Sequence, residues 1–317
     1  MADALALAAG AALVELAPAT GGAIASFTLD GVDALRPTPP RARAAGEVRA
    51  HACYPLVPCS NRIANARLVF AGREHALARN FGDSPHAIHG VGWQRPWTVE
   101  FAEAGFARLA HEHDARGETA NAWPWPFRST QTVSLVAGDT EAVLVARLAL
   151  RNTGDEAFPF GLGWHPFFPL DPDTTLAFAA AHVWDNDATQ IPLARRAVGA
   201  AERFEPPRRL AGTTLDHVFE PATGTATITW PSRGLAVTIE ADRALDRRVL
   251  FTPADRPTFA FEPVSHMTDA FNRFARGEPA TGTRVLGPGE AFSCTMRLRV
   301  RRTGTPADRR ATRPRAP

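Results

Sequence analysis

An all-β fold, a large antiparallel β-sandwich with very little helix, is what this chain predicts, and three observations carry it. Short apolar runs with a period of two recur along almost the whole length, turn signals rich in Gly and Asp separate them, and the best helical stretch is barely two turns long. A chain of 317 residues can bury a sizeable core, and no composition shift or Gly/Ser linker divides it between residues 10 and 300. We therefore expect one domain over residues 1–300 and a basic, disordered tail over 301–317, where Arg, Pro, Thr and Ala displace apolar residues.

The elements follow in order. Residues 1–8 are apolar but carry Asp3 and no basic n-region, so they read as the lead-in to a first strand rather than a secretion signal. Ala12–Leu16 and Ala23–Leu29 alternate on either side of Thr20-Gly21-Gly22 and stop at the Asp30-Gly31 turn, an antiparallel opening. Arg67–Phe70, Ala71-Gly72 and Arg73–Leu77 make a hairpin with a two-residue turn. Further strands are expected at Trp97–Ala102, Phe106–Glu112, Phe127–Val136, Ala142–Asn152, Leu176–Ala179, Thr225–Trp230, Ala236–Glu240, Arg248–Thr252, Thr258–Glu262 and Ala291–Val300. In Val143–Arg151 apolar residues occupy both faces, as in a strand covered by a second sheet and only partly wetted. The one helix expected is Thr268–Ala275, which stops at Gly277.

Charge and cysteine content narrow the function classes. The 35 basic and 33 acidic residues leave a net charge of +2, and lysine is absent, so the body does not read as nucleic-acid-binding and suits a small, neutral partner. Cys53, Cys59 and Cys294 form no CxxC pair, which argues against a disulfide framework or a structural zinc site and for a reducing compartment. No run of some eighteen apolar residues is present to span a bilayer, so a cytoplasmic protein, monomeric or homodimeric, is the expectation.

Polar residues gather in five places. Phe160–Phe168 holds one imidazole, His165, among aromatics and ahead of Pro166, which biases it to extended backbone. Such a histidine is either a hydrogen-bonded core residue or a group for proton chemistry, and only a partner decides. In Pro58–Ala64, Asn61 and Arg62 offer the donors and acceptors that suit a polyhydroxylated ligand, or a loop that caps its own backbone. Ser84–Trp97 contains His86, His89, Trp93 and Trp97; the HxxH spacing lacks a third ligand and a helix, which argues against a metal. Asp216, in Gly212–Phe219, can accept sugar hydroxyls or cap a turn. Glu262 lies between Phe261 and Pro263 on an apolar strand, where a carboxylate is costly unless paired. His165 and Glu262 make a natural acid and base.

Taken together, Asn61-Arg62-Ile63, Ile88-His89-Gly90 with Trp93 and Trp97, His165-Pro166-Phe167-Phe168, Leu215–Phe219, Phe261-Glu262-Pro263 and Leu286–Glu290 resemble the aldose 1-epimerase (galactose mutarotase-like) family, over nearly the whole chain to about Val300. The resemblance implies a galactose mutarotase-like supersandwich with a carbohydrate site on its concave side. It implies an isomerase without redox cofactor or metal, interconverting the α and β anomers of a hexose or related aldose. It makes Glu262 the general base and His165 the general acid, with Arg62, His89 and Asp216 at sugar-binding positions and Asn61 beside the arginine. Reference values of about 4.3 for Glu and about 6.5 for His lean towards those roles, and a nearby carboxylate is expected to raise the histidine further.

Three departures mark a less characterised branch than the galactose enzymes. Cys59 stands where an aromatic is common, Phe167-Phe168-Pro169 replaces Tyr-Phe-Asn, and an unusual run, Val264–Asn272, follows Glu262. Three rivals remain at this point. A hexose-phosphate mutarotase on the same scaffold is one, given the many arginines. A non-catalytic sugar-binding sensor would not need His165 and Glu262 together, and a glycoside hydrolase would need a second flanking carboxylate.

Overall fold

Alternation in Phe127–Ala137 and Glu141–Asn152 buries every second side chain, Leu144, Leu148 and Leu150 among them, and leaves most of the others half-buried. In the computed structural model, which describes residues 5–304, these strands lie within a nine-stranded sheet. From one edge it runs Thr98–Glu103, Phe106–His113, Phe127–Ala137, Glu141–Asn152, Ala291–Arg302, Leu235–Ala241, Ala226–Trp230, Thr175–Phe178 and Phe204–Arg209, every neighbour antiparallel.

A second, eight-stranded sheet runs Pro192–Ala197, His182–Asn186, Asp216–Glu220, Arg247–Phe251, Thr258–Val264, Gly163–Trp164 and Pro55–Leu56, with Phe167–Pro169 also pairing to Thr258–Val264. Its register sets Glu262 opposite Val249 and Asp216 opposite Phe251, which brings distant parts of the sequence to one face. The chain opens with a four-stranded sheet, Leu5–Ala9, Ala12–Ala17, Ala23–Leu29 and Val32–Asp33.

One continuous apolar cluster fills the space between these sheets, with Trp164, Phe168, Trp230 and Phe261 among its fully buried members. Two buried hydrogen bonds tie the two large sheets to each other and to the turn that leads into Ala23–Leu29. Trp164 Nε1 donates to Gln131 Oε1 at 3.1 Å, and Gln131 Nε2 donates to the Gly22 carbonyl at 2.8 Å. The residue next to His165 is thereby anchored to the far sheet.

Most long strands fall where the alternation puts them, and the differences have local causes. The helix begins at Ala270, two residues late, because Asp269 takes a left-handed φ of 55°. A further short helix occupies Pro40–Ala44. The last strand continues to Arg302, pairing Arg301 with Glu141 and Arg302 with Leu235, so the tail's boundary moves outward. The rest of that tail, 305–317, lies outside the described residues. Cys53, Cys59 and Cys294 are buried free thiols. Among the described residues no helix is long and apolar enough to cross a membrane.

Candidate active site

The floor of the site is one strand and one strand end. Thr258–Val264 is buried from Phe259 onward, and Glu262 on it is 3 % exposed. His165 leaves Gly163–Trp164 extended, its N–H donating to the Tyr54 carbonyl at 3.0 Å. Its ring stacks on Phe167 at 4.4 Å and tilts against Tyr54 at 4.9 Å. So held, His165 Nε2 lies 3.2 Å from Glu262 Oε1. Among the described residues His165 Nδ1 and Glu262 Oε2 have no hydrogen-bond partner.

Electrostatics here run against the simple expectation that the carboxylate raises the histidine. Burial, helped by the charge of Arg36 and then of Arg62, pushes His165 from its ordinary 6.5 to about 3. Burial, helped by Asp216 and opposed by Arg62, raises Glu262 well above the ordinary carboxylate range. Taking two charges out of water costs more than their attraction returns, so burial favours a neutral pair, with one proton between Glu262 and His165.

The loop that lines the cavity beside this pair is built by reciprocal bonds. Asn61 and His89 both have left-handed backbones, with φ of 56° and 61°. The Asn61 N–H donates to His89 Nδ1 at 2.9 Å, and the His89 N–H donates to the Asn61 carbonyl at 3.0 Å. Because Nδ1 accepts, the proton of the neutral His89 ring sits on Nε2, free to donate. Burial lowers His89 well below its ordinary value and keeps it neutral. Asn61 Oδ1 accepts from the Arg62 N–H at 2.8 Å and from Arg62 Nη1 at 3.2 Å, so Asn61 caps its own loop and aims the guanidinium. Arg62 reaches Asp216 at 3.8 Å across the cavity wall. Gly90, at φ 66°, has no alternative here: a Cβ would lie 2.5 Å from Pro58 Cδ and 2.7 Å from the Val57 carbonyl oxygen.

The unusual run after Glu262 holds this loop from below. His266 Nδ1 donates to the Met267 carbonyl at 2.7 Å, leaving Nε2 to accept from the Ser60 N–H at 3.0 Å. Asp269 Oδ1 accepts from the Ala64 N–H at 3.0 Å, and the Asp269 N–H donates to the Arg62 carbonyl at 2.8 Å. Gly161 lets the His266 ring in, since a Cβ there would stand 1.7 Å from His266 Cδ2.

All six residues singled out in the sequence, Asn61, Arg62, His89, His165, Asp216 and Glu262, line one cavity of about 650 Å³. Trp93 lines it too, its Nε1 donating to the Ile88 carbonyl at 3.2 Å, whereas Trp97 is a core residue. Sequence reasoning missed Tyr54, which stacks on Trp93 at 5.6 Å, and Arg36, Arg49 and Arg256 at the mouth. His86 turns away: its Nδ1 accepts from the Asn65 N–H at 2.9 Å. Among the described residues no group of three or more His, Cys, Asp or Glu is placed to hold a metal ion.

Comparison with known proteins bears on the family and the fold. The Escherichia coli K12 protein YphB, itself uncharacterised, is 31 % identical over 297 residues, covering 88 % of this chain and 93 % of its own. The crystal structure of a candidate aldose 1-epimerase from the same organism superposes with a TM-score of 0.84 at 28 % identity, covering 95 % of this chain and 99 % of that one. A galactose mutarotase-like protein from Clostridium acetobutylicum superposes at 0.82 with 17 % identity, over 94 % of each chain, a likeness of fold. The family pattern described as aldose 1-epimerase matches residues 3–299. With nearly its whole length matched, and with the galactose mutarotase-like fold, this chain belongs to the aldose 1-epimerase family.

Proposed function

We propose that the protein interconverts the α and β anomers of an aldose by acid and base ring opening. The observation that carries this reading is the 3.2 Å contact between His165 Nε2 and Glu262 Oε1 on the floor of a polar-walled cavity. The anomeric O1 and the ring O5 are both bonded to C1, so a base for one and an acid for the other must be neighbours.

The proton inventory suits the reaction. A bound sugar brings hydroxyls into the dry site and makes it more polar, and the proton shared by the pair passes to His165 Nε2. Glu262 then takes the proton from O1 as the O1 electron pair forms the C1=O1 carbonyl, the C1–O5 bond breaks, and O5 takes the proton from His165. The open-chain complex holds a protonated Glu262 and a neutral His165, the distribution that burial favours. Rotation about C1–C2 presents the other carbonyl face, and the same transfers in reverse close the second anomer. Arg62, the Nε2–H of His89 and Asp216 supply donors and an acceptor for the sugar hydroxyls.

Pure anomers of glucose, galactose and other aldoses, with hexose 6-phosphates alongside, test this by polarimetry or NMR with and without protein. Accelerated approach to anomeric equilibrium for at least one sugar is expected. Measurable binding with no acceleration of any sugar overturns the proposal in favour of a sensor.

A further inference from the structure

We propose that the outer end of the cavity is a subsite for an oxyanion carried at C6 of the sugar, bound by Arg36, Arg49 and Arg256. The proposal rests on the mutarotase reading above, because that reading orients the sugar. With O1 at Glu262 and O5 at His165, C5 is bonded to the oxygen that His165 serves, so its C6 substituent projects on the His165 side of the site. Arg36 is on that side: its Cζ lies 3.7 Å from the Phe167 ring centre, and Phe167 in turn stacks on His165 at 4.4 Å. Arg62 pairs with Asp216, which lies opposite Phe251 on the strand that sets Val249 against Glu262, so that ion pair is placed by the Glu262 side of the sheet.

The three arginines face the cavity with little to neutralise them. Arg36 Nη2 donates to the Arg49 carbonyl at 2.8 Å and to the His51 carbonyl at 2.5 Å, which fixes its position without cancelling its charge. Arg49 extends over Phe81 at 5.1 Å. Among the described residues neither Arg36 nor Arg49 pairs with a carboxylate, and Arg256 meets only the exposed Asp255, at 3.4 Å. Glu47 is the one carboxylate that lines this end. Like charges gathered on a cavity wall are unfavourable unless an anion joins them, and guanidiniums bind phosphate and carboxylate oxygens in forked pairs. Burial already holds Arg36 down to about 10, with the charge of Arg256 adding to the effect. An anion there would offset the Arg36 charge that depresses His165, and so couple binding to the acid's readiness to hold a proton.

The test compares kcat/KM for anomer interconversion of a neutral hexose, its 6-phosphate and its C6 carboxylate, in the gluco and galacto series, with the full chain. Arg49 and Arg256 are both exposed, so the double variant Arg49→Ala/Arg256→Ala should fold. In the wild type at least one anionic sugar should exceed its neutral parent by about tenfold or more, mainly through KM, and the advantage should shrink with salt. The double variant should lose that ratio, and Arg49→Lys/Arg256→Lys should restore much of it. A preference for phosphate or for carboxylate identifies which anion the site takes. Acceleration of neutral sugars with no anionic preference, or a ratio unchanged in the double variant, overturns the subsite alone. Acceleration of none of the sugars overturns the mutarotase reading and the subsite with it.

Discussion

Two carboxylates, Glu220 and Glu262, are each 3 % exposed in the same eight-stranded sheet, and they are treated in opposite ways. Glu220 receives Arg247 Nε at 2.7 Å, Arg195 Nε at 2.9 Å and Trp184 Nε1 at 3.0 Å. Glu262 receives no guanidinium, has His165 at 3.2 Å, and keeps one oxygen unpartnered among the described residues. A carboxylate whose oxygens are taken up by guanidiniums and an indole N–H supports the fold. One left dry and half-partnered is ready to exchange a proton, and the strain of holding it there marks a site rather than a strut.

Substitutions can break this contrast from either side. Glu262→Gln keeps the shape and removes the base, so kcat should fall by about a thousandfold, within the span of general acid and base catalysis, with the urea midpoint unchanged or higher. Glu220→Gln should do the reverse. It leaves the 5 %-exposed Arg247 without its buried partner and should cost about 3–5 kcal/mol in denaturant unfolding, with anomer interconversion preserved in the folded fraction.

Smaller effects sharpen the picture around Glu262. His266→Ala removes the acceptor for the buried Ser60 N–H and should cost about 1–3 kcal/mol of stability, while KM rises and kcat holds, because the ring positions the Asn61-Arg62 loop without reaching the sugar. Loss of kcat with KM intact would contradict that role. Asp216→Asn should raise KM by about tenfold through a lost hydroxyl acceptor. It also removes a charge that helps hold Glu262 up, so the alkaline limb of the pH–rate profile should move to lower pH.

The two large sheets were not equally legible. Phe127–Ala137 and Glu141–Asn152 have one drier and one wetter face, and the alternation that this imposes can be read directly. Gly163–Trp164 and Phe167–Pro169 are two and three residues long and buried throughout, so no period can show. Phe204–Arg209 contains Pro206 and Pro207, which the sequence rules discount, yet it is an edge strand where a missing N–H donor is tolerated.

The site divides in the same way. Glu262 and His165 stand out as titratable groups in apolar runs, and that local incongruity is visible without a structure. Arg36 gives no such signal, being one of 35 arginines, and it reaches the site through bonds to the carbonyls of residues 49 and 51. The neutral state of the acid and base pair was also hidden, since it depends on burial that only the folded sheets create.

The pH–rate profile of anomer interconversion tests the proton-sharing pair most directly. Activity requires one proton on the pair, so it should fall at low pH when His165 is also protonated and at high pH when that proton is lost. A bell is expected whose acid limb lies far below 6.5, towards about 3, and whose alkaline limb lies well above the ordinary carboxylate value of 4.5. A flat profile with activity intact after Glu262→Gln would contradict Glu262 as the base.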